Sequence, residues 1–447
     1  MTSRSVSKTL FNSITGASLL LYICLGYFTV RSNFPQLITL YGLLFAGYFY
    51  ISFNELDEKK IQTGIVLAII FRLSLLFMLP NLSDDYFRFI WDGRLFVHGI
   101  NPFSVLPSQI INSPQAASMG LSRHLFKSLN SPDYYSIYPP VLQFVFWISA
   151  QLFHNSLRGA VLVMRIFIIA ADIGSIFIIK KLLSELKRPP QLVLLYALNP
   201  LIIMELTGNI HFESFMIFFV LAALLLLYRN KIYLSATVFA LAICSKFLPL
   251  MFLPLLLKRY GFKTSLKYYL TCAIVCAILF LPFFNFETIK HILASTDLYF
   301  QKFEFNASIF YLVRWAGFKI VGYDIIHRAG IVLSFIVAMT IIIISITQKK
   351  SFSSLFTYML FCLTFYFACA SIVHPWYIST LIAFSIFTNR KYPFIWSALI
   401  VLSYFTYRTI PYNESTWLLA IEYLILGIFI LYEITNDNKV ANFCKSL

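Results

Sequence analysis

NLSDDYFRFIWDGRLFVHGINPFSVLP, residues Asn81 to Pro107, decides how this chain is read. It follows directly on an apolar run long enough to cross a membrane. Asp84, Asp85, Arg88, Asp92, Arg94 and His98 therefore stand at a membrane surface, in a chain with only 19 acidic residues among 447. An unpaired carboxylate in hydrocarbon is very costly, so a cluster this dense must face water, an opposite charge or a polar substrate. The pattern is that of an enzyme acting on something carried in lipid.

The rest of the chain supports the membrane reading. Hydrophobic residues make up 59% and charged ones 12%, where a soluble domain carries about 25% charged. The 47 Phe and 27 Tyr suit lipid contact, helix packing and interfacial anchoring. A net charge of +16 invites a nucleic-acid reading, but the basic residues gather in short loops between apolar runs, as at Lys180, Lys181, Lys187 and Arg188. That is the positive-inside pattern, and nucleic-acid binding is excluded. The seven Cys are scattered without a CxxC pair, so neither a zinc site nor a disulfide framework is expected. The N-terminal apolar run lacks a clear small-residue cleavage site and reads as an uncleaved first helix.

Apolar stretches near 10–29, 35–54, 62–80, 160–179, 191–207, 212–229, 265–284, 329–347, 353–371, 375–388, 393–411 and 416–435 predict an all-α polytopic bundle of about 12–14 transmembrane segments. The run from Tyr233 to Leu257 is too long for one straight span and holds Lys246, Pro249 and Pro254. Two shorter helices meeting near Ser245 and Lys246 are expected there. Arg4 and Lys8 place the N-terminus in the cytoplasm, so three spans put the Asp84/Asp85 loop outside. The basic Lys180–Arg188 loop should be inside, which allows only one crossing between the two. The stretch 138–153 is therefore read as re-entrant or surface-lying. Parity then holds for Arg229/Lys231, Lys258/Arg259, Lys349/Lys350, Arg390/Lys391 and the Lys439/Lys445 tail. Two long polar insertions, 81–137 and 285–325, fall on the outer face. The whole chain is one domain.

Asp84 and Asp85 follow the third span. One could face a substrate while the other caps or braces the loop; the bland alternative pairs both with Arg88 or Arg94. An ionised carboxylate here suits removal of a proton from an acceptor hydroxyl. Arg88, Arg94 and His98 could hold phosphate, with Asp92 in the same segment, or could simply face water on an interfacial helix. In MELTGNIHFES, the residues Glu205, Asn209, His211 and Glu213 crowd a turn at membrane depth and read as an active-site wall. The HxE spacing alone is a weak metal signal. Lys246 either snorkels or holds an anion. His374, Trp376 and Tyr377 could stack on a sugar or anchor at the interface. Arg408 could bind phosphate or pair with Glu414, and Arg314 is a lesser candidate of that kind.

DDYFRFIWDGRLFVHGINPF, YPPVLQ, NPLIIMELTGNIHFES, SKFLPLMFLP and HPWY, spread in order from residue 84 to 377, resemble the GT-C superfamily of glycosyltransferases. The likeness is to the polyprenyl-phosphate-mannose-dependent mannosyltransferases above all. The resemblance implies a GT-C-type helical bundle whose first outer loop carries the catalytic acid, here Asp84 or Asp85. It implies a lipid-phosphate sugar, mannose first, moved with inversion to a glycolipid, polysaccharide or protein acceptor, with no cofactor and no metal. GNIHFE, Lys246 and HPWY would line the donor or acceptor cavity, and Arg88, Arg94, Lys246 and Arg408 are candidates to stabilise the leaving phosphate. One departure is that three spans precede the acidic loop where many relatives have one; both numbers are odd, so the loop keeps its face. A bias to Phe, Ile, Lys and Asn suggests a bacterial inner membrane, with the site on the periplasmic side. The competing function is a transporter or flippase of a lipid-linked saccharide; an inverted repeat, which would favour it, is not evident.

Overall fold

The computed structural model describes residues 6–301, 303–323 and 325–436. Arg4, Lys439 and Lys445, used above for topology, lie outside the described residues. The protein is an all-α polytopic membrane protein; among the described residues, extended pairing is limited to a parallel bridge between Phe305 and Ile372.

Among the described residues, seven helices are long and apolar enough to cross a membrane: Lys8–Phe28, Phe34–Ser52, Leu157–Glu185, Pro254–Phe283, which is kinked at Gly261, Ile326–Thr347, Phe352–Cys369 and Thr416–Thr435. Several other apolar stretches fold as shorter or broken pieces. The 191–207 stretch becomes two helical segments, Pro190–Ala197 and Ile202–Gly208, bent by 55°. The 393–411 stretch divides into the Tyr392–Leu399 helix and a 3-10 run, Ile400–Arg408. Between Tyr233 and Leu257 the Ile232–Ile243 helix stops, and Leu248–Phe252 resumes as a 3-10 turn beyond Ser245 and Lys246. Pro249 and Pro254 forbid a continuous ladder there, which is why the break falls at that place. A hydropathy scan sees only the apolar length and cannot see these interruptions.

Side-chain contacts sort the connections into two ends. At one end, Arg188 donates to the carbonyls of Phe387 and Thr388, Arg229 pairs with Glu185, and Arg259 reaches the Lys349 carbonyl. The basic loops thus converge, as the positive-inside pattern requires. At the other end Arg31, Asp84, Asn130, Phe305, His374 and Glu414 surround one cavity.

Buried charge inside the bundle is met either by an opposite charge or by neutral hydrogen-bond partners. Arg72 and Asp172, on neighbouring helices and fully buried, meet at 2.5 Å, and the Tyr196 hydroxyl donates to Asp172 at 2.6 Å. Arg165 donates to the carbonyls of Leu76, Met78, Thr207 and Gly208. Its guanidinium ties the segment leading to Ser83 to the turn that carries His211.

Candidate active site

Asp85 opens the Asp85–Val97 helix, with Asp84 just before it. This helix packs along Pro140–Leu152, a 13-residue helix formed by the 138–153 stretch. At about 20 Å long, it falls short of the roughly 30 Å hydrocarbon thickness. Gly93 lets the two helices approach: a Cβ there would lie 2.3 Å from the Phe146 carbonyl oxygen. Between them, Asp92 is fully buried. It accepts from Arg88 Nε at 2.8 Å, Ser136 Oγ at 2.5 Å and Gln143 Nε2 at 3.2 Å. Arg88 also donates to the carbonyls of Ser131 and Tyr134. These bonds fix the 131–136 loop over the start of the helix.

The structure therefore divides the sequence candidates. Asp92, Arg94 and His98 line neither of the two large cavities. Arg94 donates to the Gly120 carbonyl, and His98 Nδ1 lies 2.9 Å from the Arg94 carbonyl. Asp92 and Arg94 thus brace the loop, while His98 closes the end of its own helix beside His154 at 5.1 Å. Arg88 lines the polar cavity; its Nε and Nη1 are taken by Asp92 and the loop carbonyls, while Nη2 has no partner among the described residues. Arg408 is exposed with its guanidinium 3.8 Å from the Phe405 ring. Glu414 instead accepts from the Asn306 backbone N–H and the Tyr311 hydroxyl. Arg314 pairs with Glu304.

The remaining candidates converge. Ile202–Gly208 is a π-helical turn, a form that recurs at functional sites. Ile210 follows with φ +53°, a strained value for a β-branched residue. That backbone turns Glu205 and His211 toward each other. Glu205 is buried and accepts from Tyr404 at 2.6 Å, Asn209 at 3.1 Å and Tyr41 at 3.2 Å. His211 Nδ1 lies 2.9 Å from the Glu205 carbonyl oxygen and 3.4 Å from its carboxylate. His211 Nε2 lies 3.2 Å from Ser83 Oγ and 3.8 Å from Asp85 Oδ2. Glu213 turns away to pair with Lys246, whose ammonium also sits 4.2 Å from the Tyr377 ring centroid. Trp376 stacks between two imidazoles, His211 at 3.8 Å and His374 at 4.3 Å.

Asp84 is held by Arg31, a residue of the turn between the Lys8–Phe28 and Phe34–Ser52 helices that the sequence reading passed over. Arg31 in turn packs on Tyr407 at 4.8 Å. Asp85 accepts from Asn130 Nδ2 at 2.7 Å. Burial raises the Asp85 carboxyl above the usual range; His211 and the Asn130 hydrogen bond pull it back, and Glu213 and Asp84 push it up. Burial, then the charges of His211 and Lys246, keep the His374 imidazole well below its usual range.

Two cavities meet at this cluster. One, of about 690 Å³, is mostly apolar; Lys246, Glu213 and Tyr377 stand at its head. It follows the Ile326–Thr347 helix from Ser334 to Ile342, about 12 Å of that helix. The other, of about 770 Å³, is polar and lined by Arg31, Asp84, Asn130, Tyr407, Glu304 and Glu414 among others. Both are lined by Asp85, Ile137, Tyr138 and Trp376. Asp84 faces the polar cavity alone.

A family profile described as alpha-(1->6)-mannopyranosyltransferase, N-terminal domain (the MptA_B family) matches residues 23–259, more than half of the chain. The chain belongs to this family of GT-C mannosyltransferases. Comparison with curated proteins gives no match. The family assignment makes the protein a glycosyltransferase, and the transporter reading falls away. The matched region carries the aspartate pair, the GNIHFE turn and Lys246. His374 to Tyr377 and Thr406 to Glu414 lie beyond it in the C-terminal half of the mannosyltransferase; Trp376 borders both cavities, and Thr406, Tyr407, Tyr412 and Glu414 border the polar one.

Proposed function

We propose that the protein moves mannose from a polyprenyl-phosphate carrier to an acceptor hydroxyl on the periplasmic side of a bacterial inner membrane, with inversion, using Asp85 as general base. The observation that carries this reading is the position of Asp85 where an apolar groove and a polar cavity meet. A donor with an isoprenoid tail and a sugar phosphate head needs the first; a hydrophilic acceptor needs the second. As the acceptor oxygen attacks the anomeric carbon, its proton passes to the Asp85 carboxylate. The bond from that carbon to the phosphate oxygen breaks, and its electron pair leaves with the phosphate. Lys246 at the head of the groove meets the charge that develops there. An α-linked product made by inversion requires a β-linked donor. In this reading 81–137 is the outer catalytic loop, 285–325 is a second outer loop, and Pro140–Leu152 is a re-entrant element.

Ala338, on the Ile326–Thr347 helix, lines the groove, and Ala338→Trp would fill it. With purified protein and radiolabelled mannosyl carriers of different chain length, KM for a long-chain donor should rise on the order of tenfold, the effect of about 1.4 kcal/mol. A donor with a short tail should change little. Equal effects on both, or none on either, would refute the assignment of the groove.

A further inference from the structure

We propose that His211 carries the acceptor's proton from Asp85 to the departing phosphate. The proposal rests on the reading of Asp85 as general base. His211 is buried, and its imidazole is fixed on three sides: Nδ1 against the Glu205 carbonyl, one face on Trp376, and Nε2 at Ser83. A proton on Nδ1 is donated to that carbonyl, so the Nε2 lone pair faces Ser83 and Asp85. The 3.8 Å separation from Asp85 Oδ2 is of the loose kind that tightens when substrate binds. His211 also lines the apolar groove with Lys246, where the phosphate head of the carrier would lie.

The charges require such a route. Transfer converts a phosphodiester with one negative charge into a phosphomonoester whose second ionisation lies near neutrality, with a pKa of about 6. The acceptor's proton begins on the polar side of the site and the new negative charge appears on the apolar side. In the first step the acceptor O–H bond breaks and a proton joins Asp85. In the second, the Asp85 O–H bond breaks and an N–H bond forms at Nε2. In the third, that bond breaks and the proton joins a phosphate oxygen. Net charge in the pocket is then the same before and after turnover. The transient imidazolium is met by the Glu205 carboxylate at 3.4 Å. Other charged or titratable groups in or bordering the cluster are Asp84, Glu213, Lys246, His374 and Tyr407; the first two favour the cation, and Lys246 opposes it.

The test is a rapid-mixing time course with His211→Gln, beside Asp85→Asn and wild type. His211→Gln should release one product per enzyme at near the wild-type rate, because Asp85 can still accept one proton. Steady turnover should then fall at least tenfold, with KM for the donor within twofold. A linear course at the wild-type rate, or a first turnover slowed as much as the later ones, would overturn the proposal. His211→Ala supplies a second reading if the glutamine variant is unstable. Added imidazoles should restore turnover in proportion to their basicity, whereas rescue that follows size alone would refute the shuttle. Asp85→Asn must be inactive from the first turnover; transfer by that variant would sink the base assignment itself, a different failure.

Discussion

Gly93→Ala tests whether the two short helices form the platform that aims Asp85. The added Cβ would lie 2.3 Å from the Phe146 carbonyl oxygen and 3.2 Å from Ala150 Cβ, whereas ordinary contact begins at 3.4 Å. The nearest atom is backbone, so no side chain can rotate away. The Asp85–Val97 and Pro140–Leu152 helices must separate by roughly 1 Å or tilt. Overpacking of this kind costs about 1–3 kcal/mol. A shift of about 1 Å in a reacting group can cost on the order of a hundredfold in rate. Thermal unfolding in detergent should show a lower midpoint, and mannosyl transfer by the folded fraction should drop by one to two orders of magnitude. Wild-type stability together with wild-type transfer would refute the packing argument.

Three further outcomes are expected. Arg72→Met strands the buried Asp172 carboxylate and should cost about 3–5 kcal/mol, read as loss of folded protein in detergent; the paired change Arg72→Met with Asp172→Leu should recover most of it. The Asp85 carboxyl is raised by burial, so its basic form is lost as pH falls through a value above the usual aspartate range of about 4. The acid limb of the transfer rate should therefore lie above that range, and an acid limb at or below a pH of about 4 would contradict the base assignment. Lys246→Gln removes the charge at the head of the groove and should lower kcat by about a hundredfold. Unchanged kcat in that variant would move phosphate stabilisation elsewhere.

Much of the architecture could be read from apolar lengths and from the basic loops, which do converge at one end of the molecule. The break at Ser245 and Lys246 was legible because two prolines and a lysine interrupt an overlong run. The bend at 190–208 and the 3-10 run Ile400–Arg408 were not, since apolar composition does not report hydrogen-bond pattern. Within the site, chemistry-bearing residues at predicted turns were recognisable, and Asp85, His211, Glu213, Lys246 and Trp376 do share one cavity. Two kinds of residue escaped. Arg31 lies in a short turn and gains meaning only from Asp84, 53 positions later. Arg165 was hidden in an apolar helix, although a lone arginine there is itself a signal. Asp92, Arg94 and His98 stand close in sequence to the aspartate pair, yet they line neither cavity. Helical periodicity turns Asp92 and Arg94 toward the loop they brace, and leaves His98 at the helix end.

Mannosyl transfer by Asp84→Asn and Asp85→Asn, compared with wild type at equal levels of folded protein, bears most directly on the central claim. Asp85 borders both cavities and Asp84 only the polar one. The account predicts near-complete loss with Asp85→Asn and substantial residual transfer with Asp84→Asn, which only weakens the hold of Arg31. Retained transfer in Asp85→Asn, or loss confined to Asp84→Asn, would contradict it.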